Sequence, residues 1–167
     1  ALAKQNFAST KTNNMHKLAK QWFKVIDPIL KRHGIPEDFR YIPFVESKFR
    51  QGTSSKGAEG FWQFMPETAM QFGLRVDEEV DERLDVVKST HAACRYLKTL
   101  YKEFGNWTLV AAAYNVGEGS LLRTMNAQDN DDYYSLTLNR ETSQYVYKLL
   151  AAKEIITRPA EFGYTIK

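Results

Sequence analysis

The chain has 167 residues, of which 43% are hydrophobic and 26% charged, and its formal net charge is +3. This length fits one domain with a real core, and the weak charge without dense Lys/Arg runs argues against a nucleic-acid partner. No apolar run reaches membrane-spanning length. The single cysteine, Cys94, excludes an internal disulfide and is expected to be a buried, inert thiol.

The first third of the chain predicts a flexible segment and two helices. Residues 1–14 are polar and aperiodic, so we expect them to be flexible. Asn13 or Asn14 caps a helix that Pro28 kinks or limits to a first segment, and Gly34 ends it. A second helix starts at Pro36. The inward positions of the two helices are Leu18, Trp22, Val25, Ile29, Phe39, Ile42, Val45, Glu46 and Phe49.

A Gly- and Ser-rich loop at residues 51–60 separates these helices from the next two. Pro66 and Gly73 bound a short helix. Asp85 caps a long helix that Gly105 stops. The spacing of its apolar residues predicts inward positions at Val87, Thr90, Cys94, Leu97, Leu100, Tyr101 and Phe104.

The last part of the chain predicts three more helices. Residues 107–114 are apolar on all sides, so we expect this helix in the middle of the domain, with Gly117 and Gly119 at its end. A short helix at 120–125 and a long one at 141–156 follow. No strand of convincing length is present, and the sequence predicts an all-α domain.

Glu46 is the most informative residue, because it lies beside the apolar stripe of the second helix. A carboxyl group on an inward face is costly unless it is paired or protonated. A protonated carboxyl near neutral pH is what a glycosidase uses to protonate a leaving oxygen. The Gly, Ser, Gln and aromatic residues that follow suit a sugar-binding groove. The alternative is a solvated Glu46 without a chemical role.

Four motifs in a fixed order strengthen the enzymatic interpretation. The four motifs are Glu46-Ser47-x-Phe49, Gly57-Ala58-x-Gly60-Phe61-Trp62-Gln63-Phe64-Met65-Pro66, Ala112-Ala113-Tyr114-Asn115-x-Gly117-x-Gly119 and Glu141-Thr142-x-x-Tyr145-Val146. With these motifs, over roughly residues 35–156, the chain resembles the lytic transglycosylases of the lysozyme-like superfamily, and among them the membrane-bound lytic murein transglycosylase D subgroup. A stretch beginning Asp81-Glu82-Arg83 is also similar to that subgroup.

The resemblance implies a lysozyme-like helical domain, similar to goose-type lysozyme and soluble lytic transglycosylases, with little or no sheet. We expect this domain at 15–158, between the flexible segment 1–14 and a C-terminal tail at 159–167. Such enzymes cleave the β-1,4 bond between N-acetylmuramic acid and N-acetylglucosamine in peptidoglycan without water, and form 1,6-anhydro-N-acetylmuramic acid. The resemblance implies a periplasmic enzyme, with outer-membrane association through parts outside this chain as a further option.

By the same resemblance, Glu46 is the sole catalytic acid/base. The muramyl 6-hydroxyl attacks its own C1, so no second carboxylate is needed to activate water. One glutamate protonates the leaving oxygen and then takes the proton of the hydroxyl. This double role requires a raised pKa, and burial among Phe44, Phe61 and Tyr114 is the expected cause.

Four candidate substrate-binding residues lie in the loop after Glu46, and each has a structural alternative. Ser54 or Ser55 contacts the substrate, or both shape a turn. Gln63 matches the glutamine of the family's groove, and its amide can donate and accept. Trp62 stacks on a sugar ring or fills the core.

The other candidates lie on the last helices. Tyr114 can keep its ring in the apolar layer and direct its hydroxyl at the site, while Asn115 binds substrate or caps a helix. Glu141 matches a glutamate at the floor of the groove, although the helix dipole alone favours an acid there. Tyr145, one turn further, lines the groove or belongs to the core.

We expect a monomer without a cofactor and without a metal, because His16, His33 and His91 are scattered and lack ligand spacing. Two other functions compete with the transglycosylase. A hydrolase similar to goose-type lysozyme needs a second acid, and a glycan-binding module without activity is disfavoured because Glu46 and its partners are present. A scaffold role in a wall-synthesis or secretion complex could coexist with catalysis. The candidate second acids are Asp77, Asp81, Glu82 and Asp85.

Overall fold

The computed structural model describes residues 2–133, 136, 138 and 140–157. β-Type backbone pairing in this part of the chain consists of three isolated bridges. The all-α prediction is confirmed. The described residues include two 3₁₀-helices, Glu37–Tyr41 and Glu82–Leu84, and the α-helices α1 (Leu2–Arg32), α2 (Ile42–Ser47), α3 (Pro66–Gln71), α4 (Val86–Phe104), α5 (Trp107–Val116), α6 (Glu118–Gln128) and α7 (Arg140–Thr157).

Helix α1 differs from the prediction at its start. It begins at Leu2, so the backbone of residues 2–14 is helical and Asn13 or Asn14 is not its first residue. These residues lack an apolar period, but they contain no glycine or proline to interrupt a helix. Pro28 lies inside α1 and does not end it. Packing of α1 against α4 outweighs the one backbone donor that proline removes.

The predicted helix over residues 36–49 is two shorter elements. The 3₁₀-helix Glu37–Tyr41 leads into α2, which ends when Lys48 adopts a left-handed conformation at φ 53°. Phe49 also has a positive φ of 56°. Phe49 is buried at 4% exposure, but it lies beyond the helix. The carboxyl-bearing Glu46 therefore lies in the last turn of a helix of six residues.

Helix α5 is the centre of the domain, as predicted. Its residues 109–113 are buried, and it packs against α4, α6 and α7. Gly117 ends α5, but Gly119 lies inside α6, which is longer than the predicted helix 120–125. The apolar character of α5 therefore reflects contacts on all sides rather than one inward face.

Helix α4 has the predicted caps: the Asp85 side chain accepts from the backbone N–H of Lys88, and Gly105 ends the helix. Two of its predicted inward residues are exposed instead. Val87 lies in the first turn and is 47% exposed. Tyr101 is 39% exposed, because its ring stacks on Trp107 at the surface, 4.2 Å between centroids.

Helix α7 contains the predicted helix 141–156, and Tyr145 and Val146 are buried in it. The predicted C-terminal tail at 159–167 lies outside the described residues. None of the described helices is long and apolar enough to cross a bilayer.

Candidate active site

Glu46 is half-buried at the end of α2 and has a perturbed carboxyl group. Burial raises the pKa of this carboxyl above its usual value, as expected, and the negative charge of Glu141 adds to the rise. The Tyr145 hydroxyl and the Lys148 ammonium group oppose it. The net direction is upward, which favours the protonated acid.

Two tyrosine hydroxyls flank Glu46. Burial and the charge of Glu46 raise the pKa of Tyr114 and of Tyr145, so both are neutral donors. Tyr114 donates to the backbone carbonyl of Trp62 at 2.6 Å. Tyr145 is 4% exposed, and its hydroxyl is near enough to Glu46 to lower the carboxyl pKa. The contact between the Tyr145 hydroxyl and the Glu46 carboxyl is looser than a normal hydrogen bond, because this hydroxyl has no partner at normal hydrogen-bond distance and angle.

One face of α7 forms a wall beside Glu46. Glu141, Tyr145 and Lys148 are spaced by four and three residues, which places them on the same side of the helix. Helix α7 packs against α2, and all three residues act on the Glu46 carboxyl. We call these three residues the helical wall. Glu141 and Lys148 are exposed, so solvent and salt screen their effect.

A second wall near Glu46 is the irregular segment 57–64, which we call the loop wall. Ser47, next to Glu46, has its hydroxyl oxygen 2.8 Å from the Pro43 carbonyl oxygen and 3.0 Å from that of Phe61. One O–H is therefore shared between α2 and the loop wall. Phe61, which is part of the second sequence motif, is 2% exposed and belongs to the core.

Gln63 occupies a left-handed conformation in the loop wall, with φ 51°. Its side-chain Nε2 donates to the carbonyl oxygens of Gly52 at 3.1 Å and Gly60 at 2.8 Å. Both amide hydrogens are used in this way. The amide oxygen is then the group with which Gln63 can bind a ligand, as an acceptor only.

Tyr114, one of the two tyrosines beside Glu46, lines a polar cleft of about 250 Å³. A separate apolar groove between the 3₁₀-helix Glu37–Tyr41, α5 and α7 contains none of the predicted site residues. Three predicted residues meet in the polar cleft: Gln63, Tyr114 and Asn115. The cleft is lined by Gln63, Phe64, Met65, Thr68, Tyr96, Tyr114, Asn115, Val116 and Gly117.

The proposed sugar-stacking role of Trp62 is wrong, because its side chain is 0% exposed. Its indole N–H donates to the Thr90 hydroxyl at 3.0 Å, so it fills the core between the loop wall and α4. The Ser54 hydroxyl accepts hydrogen bonds from the backbone N–H groups of Lys56 and Ala58. Ser54 therefore shapes a turn, as the structural alternative to substrate binding predicted. Neither Ser54 nor the exposed Ser55 lines the cleft.

The four loop acids that the sequence offered to a hydrolase are engaged elsewhere. Asp77 pairs with Arg75 at 2.5 Å, and Glu82 pairs with Lys88 at 2.5 Å. Asp81 pairs with Arg83 at 2.7 Å, and Asp85 caps α4. Hydrogen bonds from these partners hold the pKa of three of the carboxyls, Asp77, Asp81 and Glu82, below their usual values.

His33 and His91, which are far apart in the sequence, lie next to each other in the structure. His33 Nε2 and His91 Nδ1 are 2.8 Å apart, and burial is the largest cause that lowers the pKa of each imidazole. Within the described ranges, no group of three or more His, Cys, Asp and Glu side chains could hold a metal ion.

Sequence reasoning missed two residues that position the site, Ser47 and Arg83. Ser47 stood in the first motif, and Arg83 in the Asp81-Glu82-Arg83 stretch, so both carried a signal. Their side chains donate to backbone carbonyls of residues that are distant in sequence, and no local sequence pattern predicts such contacts.

Comparisons with known proteins identify the family of this chain. The model of the Transglycosylase SLT domain family matches residues 25–137. The chain belongs to this family. This SLT domain is 38% identical over 140 residues to membrane-bound lytic murein transglycosylase D of Escherichia coli (strain K12). The match covers 80% of the chain but only 31% of that relative, so the chain spans about a third of the relative's length.

Solved structures have the same fold as this SLT domain. The 70 kDa soluble lytic transglycosylase Slt70 of Escherichia coli superposes with a TM-score of 0.66 at 21% identity, over 91% of this chain and 30% of that one. The lytic transglycosylase Slt of Pseudomonas aeruginosa superposes with a TM-score of 0.62 at 24% identity, over 83% and 24%. The lysozyme-like fold prediction is confirmed.

Proposed function

We propose that this SLT domain is the catalytic domain of a peptidoglycan lytic transglycosylase, with Glu46 as its only acid/base. The observation that carries the proposal is the Glu46 carboxyl itself, half-buried, raised in pKa and flanked by the hydroxyls of Tyr114 and Tyr145. Four nearby loop acids are tied into ion pairs or a helix cap, as a reaction without a second carboxylate allows.

In this mechanism, protonated Glu46 donates to the glycosidic oxygen as the bond at C1 of N-acetylmuramic acid breaks. The muramyl 6-hydroxyl attacks C1 from within the substrate, and Glu46, now a carboxylate, takes its proton. The attacking group is already positioned, which replaces the capture of a water. The Tyr145 hydroxyl and the Lys148 charge stabilise the carboxylate stage, since both lower the pKa of Glu46.

The cleft residues suit sugar recognition. Gln63 can accept a hydrogen bond from a sugar hydroxyl or acetamido N–H through its amide oxygen, because its N–H groups are already used. Asn115 lines the same cleft and can both donate and accept. On the helical wall, Glu141 orients the substrate beside Glu46. These assignments rest on the cleft's position and on the donor and acceptor chemistry.

The test is a digest of purified peptidoglycan by the wild type and Glu46→Gln, with products identified by mass spectrometry. Glu103→Gln, an exposed glutamate of α4, is the matched control. We expect the wild type and Glu103→Gln to release products one water lighter than hydrolysis products. Glu46→Gln should slow this release roughly 10²- to 10⁴-fold. Full activity of a folded Glu46→Gln variant would overturn the assignment.

A hydrolase is the second candidate, favoured by one observation: the Glu141 carboxylate is near enough to raise the pKa of Glu46. In that reaction Glu141 would activate water, and the products would carry free reducing ends. The same digest separates the two, with Glu141→Gln added. Reducing-end products that disappear in Glu141→Gln would establish the hydrolase, and turnover by no variant would leave a glycan-binding module.

We also infer a periplasmic location, because peptidoglycan lies outside the inner membrane. One relative is membrane-bound by name, and association of this domain with the outer membrane would depend on parts outside this chain. Fractionation of cells that express the whole protein, with periplasmic and membrane markers, tests this location. A cytoplasmic signal would contradict it. That the domain is a monomer stays a prediction, which its elution volume can check.

A further inference from the structure

Arg83 is a buried cation whose place in the reaction is unassigned. It is 6% exposed, in the short 3₁₀-helix before α4. A guanidinium group is costly to bury unless it is paired and its donors are used. The Asp81 carboxylate pairs with it through two oxygens, at 2.9 Å to Nε and 2.7 Å to Nη2. This bidentate pair fixes the plane of the guanidinium.

The remaining donors of Arg83 point at the loop wall. Its Nη1 donates to the carbonyl oxygen of Gly57 at 2.9 Å and to that of Phe64 at 2.9 Å. These two residues are the ends of the segment 57–64. The Arg83 backbone also contacts the middle, because a Cβ on Gly60 would lie 2.1 Å from the Arg83 carbonyl oxygen. One residue therefore holds the loop wall at three points.

This arrangement bears directly on Gln63. Gln63 precedes Phe64 and adopts the left-handed backbone conformation, which is strained for a non-glycine residue. Its amide is oriented by the carbonyl of Gly60, at 2.8 Å. Both the strained backbone and the carbonyl that orients the amide belong to the segment that Arg83 holds.

We propose that Arg83 is a positioning residue for the glycan cleft, which fixes the orientation of the Gln63 side-chain amide by holding both ends of the loop wall. Only the kinetic part of its test rests on the proposed function. Lysine cannot replace Arg83 here, because one ammonium group cannot bind the Asp81 carboxylate and reach both carbonyls in a fixed plane.

The first experiment observes Gln63 directly, without substrate. In ¹H–¹⁵N NMR spectra of the 167-residue chain, Arg83→Lys should move the Gln63 side-chain amide signals and speed their exchange with water. Arg75→Lys is the matched control, since Arg75 is an exposed, ion-paired arginine of the neighbouring loop. Unchanged Gln63 signals in folded Arg83→Lys would overturn the proposal.

The second experiment is a double-mutant cycle on peptidoglycan turnover, with Arg83→Lys and Gln63→Ala. Arg83→Lys alone should lower kcat/KM roughly ten- to hundred-fold, as small misplacements of binding groups do. In the Gln63→Ala background it should lower kcat/KM little further, although Arg83→Lys still lowers Tm there. Additive losses in kcat/KM would show a merely structural role and overturn the proposal.

The two experiments fail in distinguishable ways. If the wild type releases no anhydro product, the proposed function is wrong, and the NMR comparison still decides whether Arg83 orients Gln63. If the wild type is active but the NMR signals of Gln63 do not respond to Arg83→Lys, the proposed function stands and the role of Arg83 falls.

Discussion

The two walls beside Glu46 are held by different kinds of interaction. The helical wall belongs to α7, whose backbone satisfies its own hydrogen bonds, and packing against α2 places its side chains. The loop wall has less internal order: within it the backbone N–H of Glu59 donates to the Phe64 carbonyl and that of Gln63 to the Gly60 carbonyl. Its backbone carbonyls are held by three side chains from other elements: Ser47 at Phe61, Tyr114 at Trp62 and Arg83 at both ends.

This difference predicts different consequences of substitution. Removing a partner in the loop wall leaves a backbone carbonyl without its hydrogen bond, which costs roughly 1–3 kcal/mol when the group is buried. Removing a side chain from the helical wall leaves the helix intact and changes mainly the electrostatics of Glu46. Substitutions that affect the loop wall should therefore lower the stability of the domain, and substitutions in the helical wall should shift its pH–activity profile.

The largest effect is expected at Gly60, where the loop wall touches the backbone of Arg83. Gly60→Ala places a Cβ 2.1 Å from a carbonyl oxygen at φ +80°, and should lower the free energy of unfolding by about 3 kcal/mol or more. Gly57→Ala has a similar φ of +91° but open space around the Cβ, and should cost about 1 kcal/mol. Urea denaturation of both variants measures the difference, and equal losses would contradict the close contact.

The same Tyr-to-Phe substitution should change different properties at Tyr114, which holds the loop wall, and at Tyr145, which belongs to the helical wall. Tyr114→Phe removes the donor to the Trp62 carbonyl and should cost about 1–3 kcal/mol of stability. Tyr145→Phe removes a hydroxyl without a normal hydrogen bond, so Tm should change little. It should instead raise the pKa of Glu46 further and move the alkaline limb of the pH–activity profile upward. A large loss of Tm in Tyr145→Phe would contradict this contrast.

The ionised Glu46 carboxylate should lower the stability of the folded domain. Its pKa is raised in the folded state, so the folded chain binds this proton more tightly than the unfolded chain. The contribution is fully present below the usual glutamate pKa and is lost as pH rises through the raised value. At about pH 7, Glu46→Gln should therefore be more stable than the wild type, by about 1 kcal/mol or roughly 2–4 °C in Tm. Calorimetry across pH should show the gain shrinking in acid, and a gain that persists there would contradict the linkage.

The smallest effects are expected at the two exposed charges of the helical wall. Glu141→Gln should lower the pKa of Glu46 and move the alkaline limb of the pH–activity profile down, while Lys148→Met should move it up. High salt should shrink both shifts, because exposed charges are screened. Lys153→Met is the control on α7, since Lys153 pairs with Asp38 at 3.0 Å instead. Shifts of the same sign in the first two variants would contradict their placement around Glu46.

Much of the fold could be predicted from local chemistry. Asp85 and Gly105 bound α4, and the apolar composition of α5 predicts its central position. Predictions failed where tertiary packing overrides local signals. Of the two alternatives for Pro28, a kink or an end, the end is excluded because α1 continues past it, and Tyr101, predicted inward, lies at the surface and stacks on Trp107. Trp62 could be assigned to the core only once its indole N–H was seen to reach Thr90.

The sequence by itself determined that this chain is an all-α member of its family with a carboxyl group at Glu46, because helical period, caps and ordered motifs are local properties. Only the tertiary structure decided how that carboxyl is surrounded. Burial and the charge of Glu141 raise its pKa, the Tyr145 hydroxyl, ninety-nine residues away in the chain, opposes the rise, and the cleft depends on Arg83 reaching back to the loop wall. Such interactions arise from proximity in space, and no pattern of neighbouring residues encodes them.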